Sequence, residues 1–158
     1  MADVGELVLR EIETILEAVI VRVRDNQLVA GAKALKFSQL VDHHPSFLAD
    51  LAGMLIAVEE AEGQPSNLIA DGTEIQRLIA ERHGAQRARL GWSAENLRGE
   101  YTLVRDEIAR VIRRRARAIS DTAIDEGLVI LDRMLEQAQE SSIRGLLRAA
   151  PPRRRTCQ

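Results

Sequence analysis

The side chains best placed to do chemistry lie within residues 83–105, which span the end of one predicted helix and about half of the next. His83, Gln86 and Arg87 are three and four residues apart, so they are neighbours on one helical face. Glu100 interrupts the apolar face of the following helix, and a polar group there is costly to bury unless it is paired. We therefore expect Glu100 to contact His83 or Arg87. The candidate cluster comprises His83, Gln86, Arg87, Trp92, Glu100 and Tyr101.

This cluster has three interpretations. It forms a polar clamp that fixes the register of the two helices, which we favour because buried charge pairs give specificity more than stability. Alternatively it is a pH-sensitive or ligand-gated switch, with His83 titrating near neutrality. In the third interpretation, the residues simply face solvent.

The chain offers little else for catalysis or cofactor binding. The three histidines are His43, His44 and His83, and they show no metal-ligand spacing with carboxylates or cysteines. Haem needs an apolar, usually aromatic-lined pocket around its axial ligand, and aromatic residues are 3% of the chain. We predict no metal and no cofactor, with His44 capping the helix at Pro45 and His43 exposed. There is no nucleophile–base pair or phosphate-binding glycine loop, so we predict that the chain is not an enzyme.

Composition indicates one aliphatic, all-α domain. The chain has 158 residues, of which 46% are apolar. We assign residues 1–148 to a helical domain and 149–158 to a disordered tail or linker. The single cysteine, Cys157, excludes a disulfide framework. The N-terminus lacks a basic region and no apolar run could cross a bilayer, so we expect a cytoplasmic protein without membrane contact.

Apolar spacing predicts about five main helices, arranged in a globin-like fold or an up-and-down bundle. A turn at Gly91, with Ser93 as the next cap, lets the third and fourth helices fold back antiparallel. The last two helices are the longest, about 25 residues each, and long helices of this kind favour a homodimer. The predicted helices cover approximately residues 4–24, 45–62, 71–90, about seven turns from residue 94, and 121–148. Asp71 or Thr73 is the predicted cap of the third helix. A loop or short, weak helix is expected at 27–35 and a loop at 63–67. The apolar faces comprise Val8, Ile12, Ile15, Val19 and Val23 in the first helix, Leu48, Leu51, Leu55 and Val58 in the second, Ile75, Leu78 and Ile79 in the third, Leu97, Tyr101, Val104, Ile108 and Val111 in the fourth, and Ile124, Leu128, Leu131, Leu135 and Ala138 in the fifth.

A basic band follows near the end of the fourth helix. We interpret it as a solvated face paired with nearby acids, because no aromatic residues interleave it and the net charge is only −2. Nucleic acid is therefore not an expected partner. The band comprises Arg110, Arg113, Arg114, Arg115 and Arg117.

Two segments resemble the N-terminal domain family of the RsbT co-antagonist RsbRD. One is LVDHHPSFLADLA, at residues 40–52; the other begins at His83 and continues through Gly91-Trp92-Ser93 to Glu100-Tyr101 and Val104-Arg105. The resemblance covers approximately residues 5–140. It implies an input domain that precedes a STAS domain of the stressosome or a histidine kinase core, and a related sensor domain is globin-like without haem. Trp92 stands where the family more often has Phe or Tyr.

The sequence departs from a whole family protein because it contains no STAS domain, phosphoacceptor region or ATP-binding glycine box. It is either an excised input domain or a stand-alone version. The resemblance implies a sensory domain that dimerises and signals through its last helix to a kinase or STAS output domain. The alternatives are a helical docking scaffold without a small-molecule input and a haem-based globin-like sensor.

Overall fold

The computed structural model describes residues 2–25, 35–41, 44–60 and 67–150, and every regular element in these ranges is an α-helix. The all-α prediction is therefore confirmed for this part of the chain. Most of the predicted segments at 27–35 and 63–67 and of the predicted tail at 149–158 lies outside the described residues. The tail prediction began too early, because α7 includes Ala149. The helices are α1 (Ala2–Arg10), α2 (Ile12–Asp25), α3 (Phe37–Val41), α4 (His44–Glu60), α5 (Asn67–Arg89), α6 (Ala94–Arg115) and α7 (Asp121–Ala149).

The first predicted helix is two helices, which meet at Glu11. Backbone hydrogen bonds continue through this point, from Glu11 N–H to the Leu7 carbonyl and from Ile15 N–H to the Glu11 carbonyl. The chain changes partner here, since α1 packs on α4 whereas α2 packs on α6. One uninterrupted helix was therefore the wrong prediction, although the apolar face was placed correctly on both halves.

The core is aliphatic and follows the predicted helical faces in α2, α4, α6 and α7. Each of these helices buries residues at three- and four-residue steps, which is the spacing of one helical face. The fully or almost fully buried aliphatic side chains include Ile15, Leu48, Leu51, Leu55, Leu97, Ile108, Ile112, Leu131 and Leu135.

Helix α5 departs most from the sequence prediction. It begins at Asn67, earlier than the predicted cap at Asp71 or Thr73, and its 23 residues slightly exceed the 22 of α6. The predicted apolar face was also wrong, because Ile75 and Leu78 are 52% and 48% exposed. Where burial is described, the buried positions of α5 carry small and polar side chains instead: Gln76, Ala80, His83, Gly84, Arg87 and Ala88.

Small residues explain this inward face, because α5 packs against α7 with their backbones in contact. A Cβ atom added at Gly84 would overlap the Ser142 carbonyl, and one added at Gly145 would overlap the Glu81 carbonyl. Glycine at both positions allows an approach that any larger residue prevents. Helix α5 therefore packs most closely on the last helix of the chain.

Beyond the turn at Gly91, helices α5 and α6 contact each other through side chains, since His83 and Arg87 of α5 bind Glu100 of α6; their closest backbone neighbours are other helices. Helix α5 packs on α7 and α4, while α6 packs on α7 and α2. The turn at Gly91 is present as predicted, but bulky polar side chains occupy the space between the two helices beyond it. No helix in the described residues combines the length and the apolar composition needed to span a membrane.

Alanine substitutions in helical glycines test the α5–α7 contact. We expect Gly84→Ala to lower the free energy of unfolding by about 1–3 kcal/mol or more, because the new methyl group overlaps the backbone carbonyl of Ser142. Gly53→Ala is the control: a Cβ at this exposed helical position meets nothing within 4 Å, so it should stabilise by about 0.5–1 kcal/mol. Urea unfolding measures both, and equal effects would contradict the close contact.

Candidate functional site

The turn between α5 and α6 sets the position of the site. Gly91 has a φ of 80°, a left-handed conformation that glycine adopts readily. Trp92 N–H donates to the Arg87 carbonyl at 3.0 Å and Gly91 N–H donates to the Ala88 carbonyl at 3.0 Å. These two bonds form a Schellman motif. Ser93 then caps α6 in a capping box with Asn96.

Arg87 lies at the centre of the site and is fully buried. Its Nη2 donates to Glu100 Oε1 at 2.6 Å, and its Nε lies 3.2 and 3.1 Å from Oε1 and Oε2. The indole of Trp92 covers the guanidinium at 4.6 Å. A paired guanidinium beneath an aromatic face is the kind of buried charge that proteins tolerate.

The remaining donors of Arg87 bind the C-terminal end of the short helix α3. Nη1 donates to the Gln39 carbonyl at 2.7 Å and to Gln86 Oε1 at 2.6 Å, while Nη2 donates to the Leu40 carbonyl at 3.0 Å. Gln86 Nε2 also donates to the Gln39 carbonyl, at 3.2 Å. The last carbonyls of a helix have no partner within it, so a cation here satisfies them and the helix dipole together.

Two histidines complete the surroundings of Glu100. His83 Nε2 lies 2.9 Å from Glu100 Oε2, and His44 Nε2 lies 3.5 Å from Glu100 Oε1. His44 Nδ1 lies 2.9 Å from the Val41 carbonyl, which accepts its proton. All three side chains are buried, and the two imidazole rings meet edge to face with their centroids 5.0 Å apart.

Tyr101 connects the site to α7. The Ser142 hydroxyl donates to the Ala80 carbonyl at 2.7 Å, so the Tyr101 hydroxyl donates to Ser142 Oγ, also at 2.7 Å. The Tyr101 ring contacts His83 and Phe47 edge to face, with centroids 6.2 Å apart in each case. The buried network therefore reaches from α3 and α4 through α5 and α6 to α7.

A small cavity borders this network. Its volume of about 10 Å³ holds about one water molecule. Ligand pockets for larger groups are typically about 300 Å³ or more, so a haem would require the surrounding helices to separate. The lining residues are His44, Phe47, Ile79, Ala80, His83, Glu100, Tyr101 and Val104.

The electrostatics of the site keep Glu100 ionised and His44 neutral. Burial alone would raise the pKa of Glu100, but the imidazole of His83 and the guanidinium of Arg87 hold that pKa well below its ordinary value. Burial lowers the pKa of His44 to about 4, although Glu100 opposes the shift. Burial also raises the pKa of Tyr101.

The structure brings all six predicted cluster residues together. His83, Arg87, Trp92, Glu100 and Tyr101 are buried and Gln86 is half-buried. The predicted contact of Glu100 with His83 or Arg87 is present with both. The interpretation in which these residues face solvent is therefore wrong.

The prediction for His44 was wrong. Its ring binds the last carbonyl of α3 and approaches Glu100, whereas we expected it to cap α4. The sequence also suggested no metal-ligand cluster, but ligand atoms of His44, His83 and Glu100 lie within 4.8 Å of one another. The sequence signal for His44 was a histidine directly before Pro45. Its contact with Glu100 on α6 depends on how the helices pack and not on sequence spacing. The prediction for His43 lies outside the described residues.

A second buried carboxylate, Glu107, lies two helical turns beyond Glu100 on α6. Arg22 Nη1 donates to it at 2.9 Å and Arg110 Nε donates at 2.7 Å. Burial alone would raise the pKa of Glu107, but the hydrogen bonds from Arg110 and Arg22 hold it below its ordinary value. The basic band itself is solvated as predicted, with Arg113, Arg114 and Arg115 exposed.

Comparisons of the chain with protein-family models, curated proteins and solved structures found no match. The resemblance to the RsbRD N-terminal domain family therefore stays a prediction from the residues that carry it.

Removing Arg87 tests the buried pair. We expect Arg87→Met to lower the free energy of unfolding by about 3–5 kcal/mol, because it leaves Glu100 ionised and buried without its main partner. Arg113→Met is the control, since Arg113 is exposed and its nearest carboxylate, Asp125, is 4.0 Å away; its effect should stay within about 0.5 kcal/mol. A loss at Arg87 as small as the control's would contradict the pairing.

Acid should destabilise the fold through His44. Its pKa is about 4 in the folded chain and about 6.5 unfolded, so the unfolded state binds the additional proton between these values. The unfolding free energy therefore falls as the pH drops through this window, by about 3 kcal/mol in total. Below this pH window, protonation of Glu100 lowers the unfolding free energy further, since the pKa of Glu100 is depressed in the folded chain. Urea unfolding at about pH 7 and pH 5 with EDTA measures the slope. His44→Gln should flatten it, and an unchanged slope would contradict the assignment.

Proposed function

We propose that the chain is the sensory input domain of a cytoplasmic bacterial signalling protein, which dimerises and transmits a signal through α7 to a kinase or STAS output domain. The observation that carries the proposal is the buried network around Arg87 and Glu100. It supplies contacts between five helices in one place, including a link to α7 through Tyr101 and Ser142. The RsbRD resemblance, which the same residues carry, supports the same conclusion.

The network is suited to signalling because its bonds are directional and its charges are buried. A change at one member leaves another polar group without its partner, which costs more than an equal change in an apolar contact. Such a cost favours a second discrete arrangement of the helices over a gradual deformation. A ligand that binds one arrangement more tightly shifts the population towards it.

Helix α7 is the proposed output element. It has 29 residues, so it is about 43 Å long. Its solvent face exposes Val129 and Leu147, which are 52% and 64% accessible and lie about five turns apart on one side. These two exposed apolar side chains are the ones that the proposed homodimer would bury along α7.

A kinase chimera tests the proposal. The whole chain is fused upstream of a histidine kinase core and autophosphorylation is measured for Glu100→Gln and Tyr101→Phe, the latter removing only the hydroxyl that bonds Ser142. We expect each to change the rate by about fivefold or more. Glu107→Gln is the matched control, since it neutralises a buried carboxylate on the same helix outside the network, and it should leave the rate within about twofold.

Circular dichroism establishes which variants are folded. A rate that folded network variants do not alter, or alter no more than Glu107→Gln, would contradict the sensory proposal. A docking scaffold without a small-molecule input would then be the better proposal, and the small cavity and exposed face of α7 favour it as the second candidate. Sedimentation of the free chain gives its oligomeric state, and a monomer would remove the dimer from the proposal.

A further inference from the structure

Three metal-ligating side chains meet in the core beside the small cavity. His44 comes from the start of α4, His83 from the last third of α5 and Glu100 from the first half of α6. One ligand atom from each lies within 4.8 Å of the other two, and all three side chains are buried. Packing of three separate helices, not local sequence spacing, creates this arrangement.

The orientation of His44 is the first sign of a ligand. A backbone carbonyl only accepts hydrogen bonds, so the Val41 carbonyl fixes the proton of the neutral ring on Nδ1. The lone pair of Nε2 then faces the carboxylate of Glu100, whose Oε1 is 3.5 Å away. Two electron-rich atoms face each other, and a cation between them would turn this repulsion into attraction. A carbonyl on the second ring nitrogen is also the usual outer partner of a metal-bound histidine.

Arg87 holds the Glu100 carboxylate in place opposite the two histidines. Arg87 binds both of its oxygens. The single Nε proton is shared between the two oxygens and lies nearer Oε2, at 3.1 Å, while Nη2 binds Oε1. Counted this way, each oxygen keeps one of its two acceptor positions for a histidine or an ion. Arg87 fixes the carboxylate as an outer partner of a metal ligand does. Its positive charge also opposes a second cation and therefore weakens binding.

The spacing of the ligand atoms fits a small transition-metal ion. Zinc binds histidine nitrogen and carboxylate oxygen at about 2.0–2.2 Å, so tetrahedral ligand atoms lie about 3.3 Å apart. His83 Nε2 lies 2.9 Å from Glu100 Oε2 and His44 Nε2 lies 3.5 Å from Glu100 Oε1, and these two distances bracket this value. The three ligand atoms as a set are spread over up to 4.8 Å, so the two imidazoles must move closer together to close around an ion. The cavity of about 10 Å³ supplies space for a water molecule as the next ligand.

We propose that His44, His83 and Glu100 form a buried binding site for a divalent transition-metal ion of the zinc class, with one coordination position open to the cavity. Binding needs the lone pair of His83 Nε2, so a proton on that nitrogen must move to Nδ1 or be released. Two histidines, one carboxylate and an open position suit Zn²⁺, and also Fe²⁺ and Co²⁺. The inference does not depend on a sensory role for the chain.

Cobalt binding tests the site directly. Co²⁺ is titrated into the purified full-length chain carrying Cys157→Ser, which removes the only thiol, and the visible d–d bands are recorded. We expect one Co²⁺ per chain, with bands typical of low coordination number. His44→Gln and His83→Gln should each weaken binding at least about tenfold. His43→Gln is the matched control, because it leaves the same number of histidines as His44→Gln and should bind as the parent does.

Thermal unfolding with Zn²⁺ gives a second readout. Zinc at about a hundred times its dissociation constant should raise Tm by about 5–10 °C in the parent and in His43→Gln, with a smaller rise in His44→Gln. If the ligand variants do not fold, ¹⁵N spectra of the histidine rings in the parent replace them. Zinc should then shift Nε2 of two of the three histidines.

Three results would overturn the site: no stoichiometric binding by the parent, equal weakening by His43→Gln and His44→Gln, or Nε2 shifts in other than two rings. These outcomes are separate from those of the kinase chimera. Metal binding together with an unresponsive chimera would retain the site and remove the sensory function.

Discussion

The buried pair of Arg87 and Glu100 is the interaction on which the rest of this structure depends. Every N–H of the guanidinium has an acceptor, and those acceptors belong to α3, α5 and α6. A buried ion pair contributes little net stability when it is compared with apolar packing, but losing one partner is expensive. The main effect of the pair is therefore on specificity, because it disfavours arrangements of these helices that separate the two charges.

Local backbone structure and the buried pair are also coupled. The Schellman turn uses the carbonyl of Arg87, and the indole that follows Gly91 covers the guanidinium of the same residue. The C-terminal carbonyls of α3 bind Arg87 and His44. A helix of five residues is too short to be stable by itself, so these bonds supply much of what holds α3 in place. One side chain thus connects a turn, a short helix and two long ones.

The sequence predicted the parts of this arrangement that depend on local periodicity. The apolar faces of α2, α4, α6 and α7, the Gly91 turn and the Ser93 cap follow from three- and four-residue spacing and from cap chemistry. The contact of Glu100 with α5 could be predicted because an acid on an apolar face needs a partner. The inward face of α5 could not be predicted, since Gly84 and Ala80 pack closely but contribute almost nothing to a hydrophobic pattern. The position of His44 depends on how three helices meet, and no spacing encodes that.

The glycine contacts between α5 and α7 have a consequence for motion. Where two backbones touch at Gly84 and Gly145, there are no side chains whose rotation could absorb a shift. Sliding one helix along the other would bring a Cβ atom against a carbonyl within about one turn, or about 5 Å. Helices α5 and α7 should therefore move as one rigid unit. Any rearrangement of the described helices would then leave this unit intact and occur at contacts where longer side chains separate the backbones.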